Sequence, residues 1–292
     1  MALWMALLLG IVEGLTEFLP ISSTGHMILT SHALGLHDEA TKSFEVVIQL
    51  GAIVAVVVHY RVLLGERVAG LFRWEPKAVR LASALLAAFV PTAIVGLLLR
   101  KVIKRVLFGA MPVAIALVVG GIVMIVGERW LGQRAHARRL AENDRADRPS
   151  GDGKSEPEQV ESSLESVGVV DGFWIGVFQC LALWPGTSRS MVTLLAARAR
   201  GFDARTAAEF SFLLAIPILG AATALDLFKE GRALLATAHL RAALAVGFVT
   251  SFLVARAAIG WFLAFLRKRG LEWFGWYRIA LGVAVFLMLH GS

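Results

Sequence analysis

The chain has 292 residues, of which 57% are hydrophobic and 17% charged, with a mean hydropathy of +0.70 and a formal net charge of +7. This composition excludes an ordinary soluble globular domain. The basic residues form short clusters between apolar stretches rather than one charged face, so no nucleic-acid partner is expected. We therefore expect an all-α polytopic membrane protein, in which the single Cys180 cannot form an intramolecular disulfide.

Six apolar windows have the roughly 20 residues that a helix needs to cross a bilayer. Two further apolar regions, residues 1–36 and 169–200, are interrupted near the middle by Pro, Gly, Ser and Thr. Such interruptions are typical of a broken, re-entrant helix pair. Residues 131–168 are hydrophilic and predict a flexible loop. The six predicted spans lie near 43–60, 81–99, 107–128, 206–228, 242–266 and 272–290.

Basic residues predict the orientation of the chain. If residue 1 starts outside and both broken segments re-enter, most of the Lys and Arg residues fall in the cytoplasmic connections, including 131–168. The positive-inside rule favours this arrangement over its inverse. We therefore expect a cytoplasmic loop and outward-facing termini.

The two halves, residues 1–130 and 169–292, align at a constant offset of 166 residues. Each half has one broken segment and three spans, an odd number of crossings, so the second copy is predicted to be inverted. Chance matches between apolar sequences are the alternative. The aligned pairs include Gly10 with Gly176, Glu13 with Gln179, Ser22 with Ser188, and Ser23 with Arg189.

Two carboxylates precede the first break. Glu13 and Glu17 are four residues apart, so a helix places them on one face, one turn apart. Two oxygen donors at that spacing suit Mg²⁺ or Ca²⁺ together with substrate phosphate oxygens, and the pair could instead hold or deprotonate water. Two solvated carboxylates at a helix end are the structural alternative.

A helix break and a new helix N-terminus follow these carboxylates. Pro20 cannot continue a helix, and the next polar residues predict a cap with free amides that bind an anion. His26 adds a side chain that titrates near neutral pH. Ser23 with His26 is a candidate nucleophile and base pair, or His26 itself is the nucleophile. The predicted phosphate-binding residues of this break are Ser22, Thr24 and Gly25.

The second broken segment has the same design. After Pro185 it again carries capping hydroxyls, now with Arg189 where the first segment has a serine. A guanidinium binds phosphate bidentately, so Arg189 is the candidate phosphate clamp, with a snorkelling interfacial arginine as the alternative. The predicted phosphate-binding residues here are Gly186, Thr187, Ser188 and Ser190.

Four other charged residues lie in or next to the apolar spans. Glu45 and Glu209 start later spans, and their roles are left open between support of the site and interfacial solvation. Arg256 and Arg278 are candidate partners of buried carboxylates, but the sequence does not assign the pairs.

Two motifs carry a family resemblance. They read Glu13-Gly-Leu-Thr-Glu17-Phe-Leu-Pro-Ile-Ser-Ser23-Thr-Gly-His26 and Pro185-Gly186-Thr187-Ser188-Arg189-Ser190. Together they resemble the paired signature of the undecaprenyl-diphosphate phosphatases, the bacitracin-resistance family of bacterial membranes. The similarity extends over nearly the whole chain except the loop at 131–168.

This resemblance implies hydrolysis of undecaprenyl diphosphate to the monophosphate, which recycles the lipid carrier for peptidoglycan synthesis and confers bacitracin resistance. It implies a divalent cation, Mg²⁺ or Ca²⁺, and a multi-pass protein of the inner membrane whose site opens to the periplasm. A polyprenyl diphosphate is the expected partner, and a homodimer is the assembly considered. The implied active-site residues are Glu13, Glu17, Ser22, Ser23, His26 and Arg189.

A lipid-phosphate transporter or flippase is the alternative function. Inverted repeats with broken helices are a transporter architecture, so the fold alone does not decide. Paired carboxylates beside a serine and a histidine favour hydrolysis, because a carrier needs only reversible binding. Release of inorganic phosphate in detergent distinguishes the two.

Overall fold

Helices form the whole of the described fold. The computed structural model describes residues 1–36, 39–107, 109–146, 163–234 and 238–291, and these contain eleven α-helices and no β-strand. The prediction of an all-α protein is therefore confirmed. The α-helices are α1 (Leu3–Thr16), α2 (Ser23–Ala33), α3 (Glu39–His59), α4 (Arg61–Phe72), α5 (Pro76–Val106), α6 (Ala110–Ala146), α7 (Val169–Gln179), α8 (Arg189–Ala199), α9 (Ala204–Leu234), α10 (Ala238–Leu266) and α11 (Glu272–Gly291).

Five of the helices in the described residues, α5, α6, α9, α10 and α11, are long and apolar enough to cross a bilayer. A sixth candidate is the pair α3 and α4, which is bent by 75° at Tyr60. The sequence analysis placed residues 61–72 in a connection, so this helix was not predicted.

Helix α6 also extends beyond its predicted span. Residues 131–146, which we expected in the flexible loop, continue this helix to Ala146, whereas residues 147–162 of that loop lie outside the described residues. Residues 131–146 are rich in Ala, Arg, Leu and Glu, which are good helix formers even where the apolar pattern ends.

Glycines allow the first helix of each broken segment to pack closely on a spanning helix. Gly10 and Gly14 of α1 face α10, and Gly172 and Gly176 of α7 face α5. A Cβ atom at any of the four positions would collide with the backbone of the facing helix. Small residues at i and i+4 let membrane helices approach in this way. Each broken segment therefore packs on a helix from the other half of the chain.

A set of phenylalanines fixes the first break against the second half. Phe18, directly after the second carboxylate, is fully buried, and its ring lies edge-on to Phe212 of α9 with centroids 5.3 Å apart. Phe262 of α10 and Phe274 of α11 continue this cluster. Each such pair contributes about 0.5–1.5 kcal/mol beyond its buried area. The break is thus held rigidly beside α9, α10 and α11.

Candidate active site

The two predicted carboxylates lie on one buried face. The amide of Glu17 donates to the carbonyl of Glu13 at 3.0 Å, so the helical hydrogen-bond pattern of α1 reaches Glu17. The two residues are only 3% and 6% exposed. The predicted i, i+4 placement is confirmed, and burial excludes the alternative of solvated carboxylates.

The first break ends at Ser22, whose backbone has a positive φ of 73°. A non-glycine residue rarely adopts this conformation, which costs of order 1–3 kcal/mol and is concentrated at functional sites. The side chain of Ser22 compensates by accepting a hydrogen bond from the amide of Gly25 at 3.3 Å. Helix α2 therefore begins at Ser23, three residues earlier than the predicted start near His26.

The second break repeats this geometry. Ser188 also has a φ of 73°, and its hydroxyl accepts from the amide of Met191 at 3.4 Å. Gly186 has a φ of 96°, and a Cβ there would lie 2.8 Å from the carbonyl of Val113, so only glycine fits. The amide of Thr187 donates to Trp184 and is not free. The amides of Gly25 and Met191 are capped by Ser22 and Ser188, so the first two amides of α2 and of α8 are the ones to which the helix gives no internal acceptor.

Direct hydrogen bonds bring the two breaks together. The hydroxyl of Ser190, 2% exposed, donates to the carbonyl of Leu19 at 2.8 Å. Ser190 Oγ also lies 3.1 Å from Ser188 Oγ. Of the predicted phosphate-binding residues, Ser188 and Ser190 are therefore largely engaged in structure, whereas Thr24 is exposed in the first turn of α2.

Arg278 connects the two breaks through hydrogen bonds to their backbone. This fully buried arginine of α11 donates to the carbonyl of Pro20 at 3.3 Å, and to the carbonyls of Gly186 and Ala116 at 2.9 and 3.1 Å. Gly120 provides the space, since a Cβ there would collide with the guanidinium. We expected a carboxylate partner for Arg278, but its hydrogen bonds go to backbone carbonyls, two of them at the helix breaks and one inside α6.

Three other charged residues of the spans are Glu45, Glu209 and Arg256, and hydrogen bonds join the two glutamates to Ser31 and Arg205. Glu45 accepts a hydrogen bond from Ser31 Oγ at 2.7 Å, and Glu209 accepts from Arg205 Nε at 2.9 Å. Arg256 is exposed on α10.

Glu17 is the centre of the site. Its Oε2 accepts a hydrogen bond of 2.5 Å from Ser23 Oγ, and its Oε1 accepts one of 3.2 Å from Arg189 Nη2. The side chains of Arg189 and Glu17 are only 10% and 5% exposed. One carboxylate from the first half thus contacts a hydroxyl at the first break and a guanidinium at the second. A buried carboxylate on a serine hydroxyl is the arrangement of a base beside a nucleophile.

Two buried residues that the sequence analysis did not select support Arg189. The carbonyl of Ser211 accepts from Arg189 Nη1 at 2.9 Å, and Ser211 Oγ lies 2.5 Å from Thr193 Oγ1. Thr193 Oγ1 in turn donates to the carbonyl of Arg189 at 2.9 Å. The spacing Arg189-x-x-x-Thr193 was the available signal, because it places a hydroxyl one helical turn after the arginine. Buried Arg189 is thus a fixed group and not a snorkelling one.

His26 has a separate pair of contacts. Its Nδ1 lies 2.8 Å from the carbonyl of Ser22, and its Nε2 lies 2.7 Å from the hydroxyl of Tyr277. Ser23 Oγ, the other member of the hypothesised nucleophile and base pair, donates instead to Glu17. Tyr277 was not selected from the sequence, where one tyrosine in an apolar stretch gives no signal of its own.

At the predicted metal position, Glu13 provides a carboxylate oxygen that is free to bind a metal ion. Glu13 Oε1 is buried and has no hydrogen-bond partner among the described residues, whereas both oxygens of Glu17 accept hydrogen bonds. Among those residues no group of three or more His, Cys, Asp or Glu side chains is arranged to hold a metal ion. The protein itself therefore offers a carboxylate oxygen rather than a closed metal cage.

Comparisons with known proteins give a consistent result. The model of a family described as bacitracin resistance protein BacA matches residues 6–284. The undecaprenyl-diphosphatase of Sorangium cellulosum is 49% identical over 280 residues, which cover 96% of this chain and 84% of that protein. The proteins of the same name from Rhizorhabdus wittichii and Aquifex aeolicus are each 41% identical, covering 99% and 96% of this chain and 98% and 96% of their own lengths.

Proposed function

Because this chain belongs to the family of the bacitracin resistance protein BacA, we propose that it hydrolyses undecaprenyl diphosphate to undecaprenyl phosphate and inorganic phosphate. The reaction returns the lipid carrier to peptidoglycan synthesis and accounts for resistance to bacitracin. The observation that carries this proposal is the contact of Ser23, Glu17 and Arg189 at the meeting point of two helix breaks. A hydroxyl, a base and a fixed cation are the groups that phosphoryl transfer needs.

Ser23 is the proposed nucleophile. Its Oγ attacks the terminal phosphorus and passes its proton to Glu17 Oε2, while the bond from that phosphorus to the bridging oxygen breaks and undecaprenyl phosphate leaves. Water then attacks the phosphoserine while Glu17 returns its proton to Ser23 Oγ as the phosphorus–serine oxygen bond breaks, so inorganic phosphate leaves with the oxygen and both protons of the water and the serine hydroxyl is restored. His26 as the direct nucleophile is the competing assignment, and its two ring contacts are both outside this serine and carboxylate pair.

Protonation of Glu17 removes the negative charge with which Arg189 is paired. Before attack, the guanidinium is paired with the negative carboxylate at 3.2 Å. Once Glu17 has taken the serine proton, that negative charge is gone, and the cation is left to stabilise the charge on the phosphoryl group. The buried position strengthens this effect, because a water-poor site screens charge less. In this mechanism Glu17 activates Ser23 and, once protonated, leaves Arg189 available to the phosphoryl group.

Glu13 is the proposed ligand of the divalent cation. Its unpaired buried oxygen fits an ion such as Mg²⁺, which one or two carboxylates commonly hold together with substrate phosphate oxygens. A bound cation would neutralise the charge of the diphosphate. Glu17, the other predicted ligand, already accepts a hydrogen bond on each of its two oxygens, so we assign the primary contact to Glu13.

We also propose an arrangement of the chain in the membrane. We assign the chain two inverted repeats, each with a re-entrant helix pair, in the inner membrane with the site open to the periplasm. Ser22 and Ser188 support this, since they lie 166 residues apart and share a φ of 73°. The exchange of partners, with α1 on α10 and α7 on α5, is what a two-fold relation between the halves requires.

Phosphate release in detergent tests the function. We expect the purified protein to release inorganic phosphate from a polyprenyl diphosphate, and we expect Glu17→Gln, Ser23→Ala and Arg189→Ala each to lower kcat at least about 100-fold. Ser83→Ala is the matched control, because that hydroxyl is exposed on α5. Absence of phosphate release by the wild type, with transfer of lipid phosphate between vesicle leaflets, would instead identify the transporter.

Trapping the intermediate tests the nucleophile. A substrate labelled on its terminal phosphate, with the reaction quenched in SDS near neutral pH, should leave acid-stable label on the peptide containing Ser23, and Ser23→Ala should abolish this label. Acid-labile label on His26 that persists in Ser23→Ala would contradict the assignment.

A further inference from the structure

Hydrogen bonding fixes the tautomer of His26. The carbonyl of Ser22, 2.8 Å from Nδ1, can only accept a hydrogen bond, so Nδ1 carries a proton. In the neutral ring Nε2 then holds the lone pair, and the group in contact with it is the hydroxyl of Tyr277 at 2.7 Å. The basic nitrogen of the histidine is therefore covered by a tyrosine.

Tyr277 is held in place by its neighbour. Arg278, the next residue, is fully buried and bound to both helix breaks, so this turn of α11 cannot shift without the site. The phenol ring stacks on the imidazole with an interplanar angle of 5° and centroids 5.6 Å apart. Tyr277 itself is 46% exposed, so its hydroxyl and His26 lie at the accessible rim rather than in the sealed interior.

We propose that Tyr277 is a positioning residue for His26, and this inference rests on the phosphatase function proposed above. A phenol hydroxyl can donate to Nε2 of the neutral ring and accept from the same nitrogen when it is protonated. A carboxylate could only accept and would favour the charged ring alone. Tyr277 can thus keep the imidazole plane and the direction of Nε2 fixed whether the ring is neutral or protonated.

Chemical modification of His26 tests the contact without any need for activity. Diethyl pyrocarbonate acylates neutral imidazole at a free lone pair, and peptide mass spectrometry reports the rate at His26. Tyr277→Phe keeps the ring and its stacking but removes the hydroxyl, so we expect His26 to react about twofold to tenfold faster, the factor expected for loss of one neutral hydrogen bond. An unchanged rate would overturn the proposal.

Tyr60→Phe is the matched control. Tyr60 is the other of the two tyrosines in the chain, and its buried hydroxyl has no hydrogen-bond partner among the described residues. Its removal should leave both the His26 reaction rate and phosphate release unchanged. An equal acceleration in Tyr60→Phe would show a general loosening of the helices and would also overturn the proposal.

A double-mutant cycle separates positioning from folding. We expect Tyr277→Phe to lower kcat/KM about fivefold in the wild type and to have no further effect in the His26→Ala background. The same loss in both backgrounds would refute an action through His26. If the wild type released no phosphate, the proposed function would fail, while the modification rates would still decide the contact.

Discussion

Replacement of Arg278 by Met should weaken the connection between the two helix breaks. Methionine is long and apolar, so it fills much of the same space but donates no hydrogen bond. The carbonyls of Pro20 and Gly186 at the breaks then lose this donor, whereas the carbonyl of Ala116, inside helix α6, loses only a second donor and keeps its helical one. The change therefore acts directly on the geometry that brings Ser23 toward Arg189.

The size of the effect follows from these contacts. Each buried carbonyl left without a donor costs about 1–3 kcal/mol. Removing a buried cation recovers part of this loss, since its desolvation is itself costly. A net destabilisation of about 3 kcal/mol remains, which corresponds to a fall in Tm of about 5 °C for a protein of this size. A shift of about 1 Å between catalytic groups lowers kcat about 100-fold.

Thermal unfolding and phosphate release, measured in the same detergent, give the two readouts. Arg256→Met is the matched control, because that arginine is exposed on α10. Gly120→Ala should reproduce the defect of Arg278→Met, since the new methyl group would displace the guanidinium. Wild-type Tm and turnover in Arg278→Met would refute the assigned role of this arginine.

Two further predictions concern support and packing. Ser211→Ala should lower kcat about fivefold with little change in Tm. The substitution removes a hydroxyl that helps to orient Arg189, at a cost of about 1 kcal/mol. The rate of Ser23 phosphorylation would report this loss. Gly176→Ala should lower the Tm by several degrees, because the new methyl group collides with the backbone of α5. Gly260→Ala is the control, because a methyl group there enters open space and should leave the Tm unchanged. Equal melting curves for the two variants would exclude the packing of α7 on α5.

Local pattern in the sequence was enough to predict the helix geometry of the two motifs. The i, i+4 spacing of Glu13 and Glu17 survives in the structure because α1 continues through both residues. Proline followed by capping hydroxyls predicted both helix breaks, because proline removes a donor and serine supplies an acceptor within a few residues. These effects act between near neighbours, so a sequence pattern contains them.

The network around the motifs could not be obtained in this way. Glu17 and Arg189 are 172 residues apart, and Arg278 reaches Pro20 across 258 residues. Tyr277 carries no signal of its own in an apolar stretch, and the spacing of Thr193 from Arg189 does not reveal its contact with Ser211. Helix α4 was missed because no Pro or Gly in the sequence marks the bend at Tyr60.

The sequence by itself determined that this is a helical membrane protein with two broken segments, each bearing polar groups that are too costly in lipid to lack a use. Only the tertiary structure decided how those groups are shared: Glu17 with Ser23 and Arg189, and His26 with Tyr277. The physical reason is that composition and spacing fix which groups must be satisfied inside a bilayer, whereas the close packing of α1 on α10 and of α7 on α5 fixes which partner each one meets.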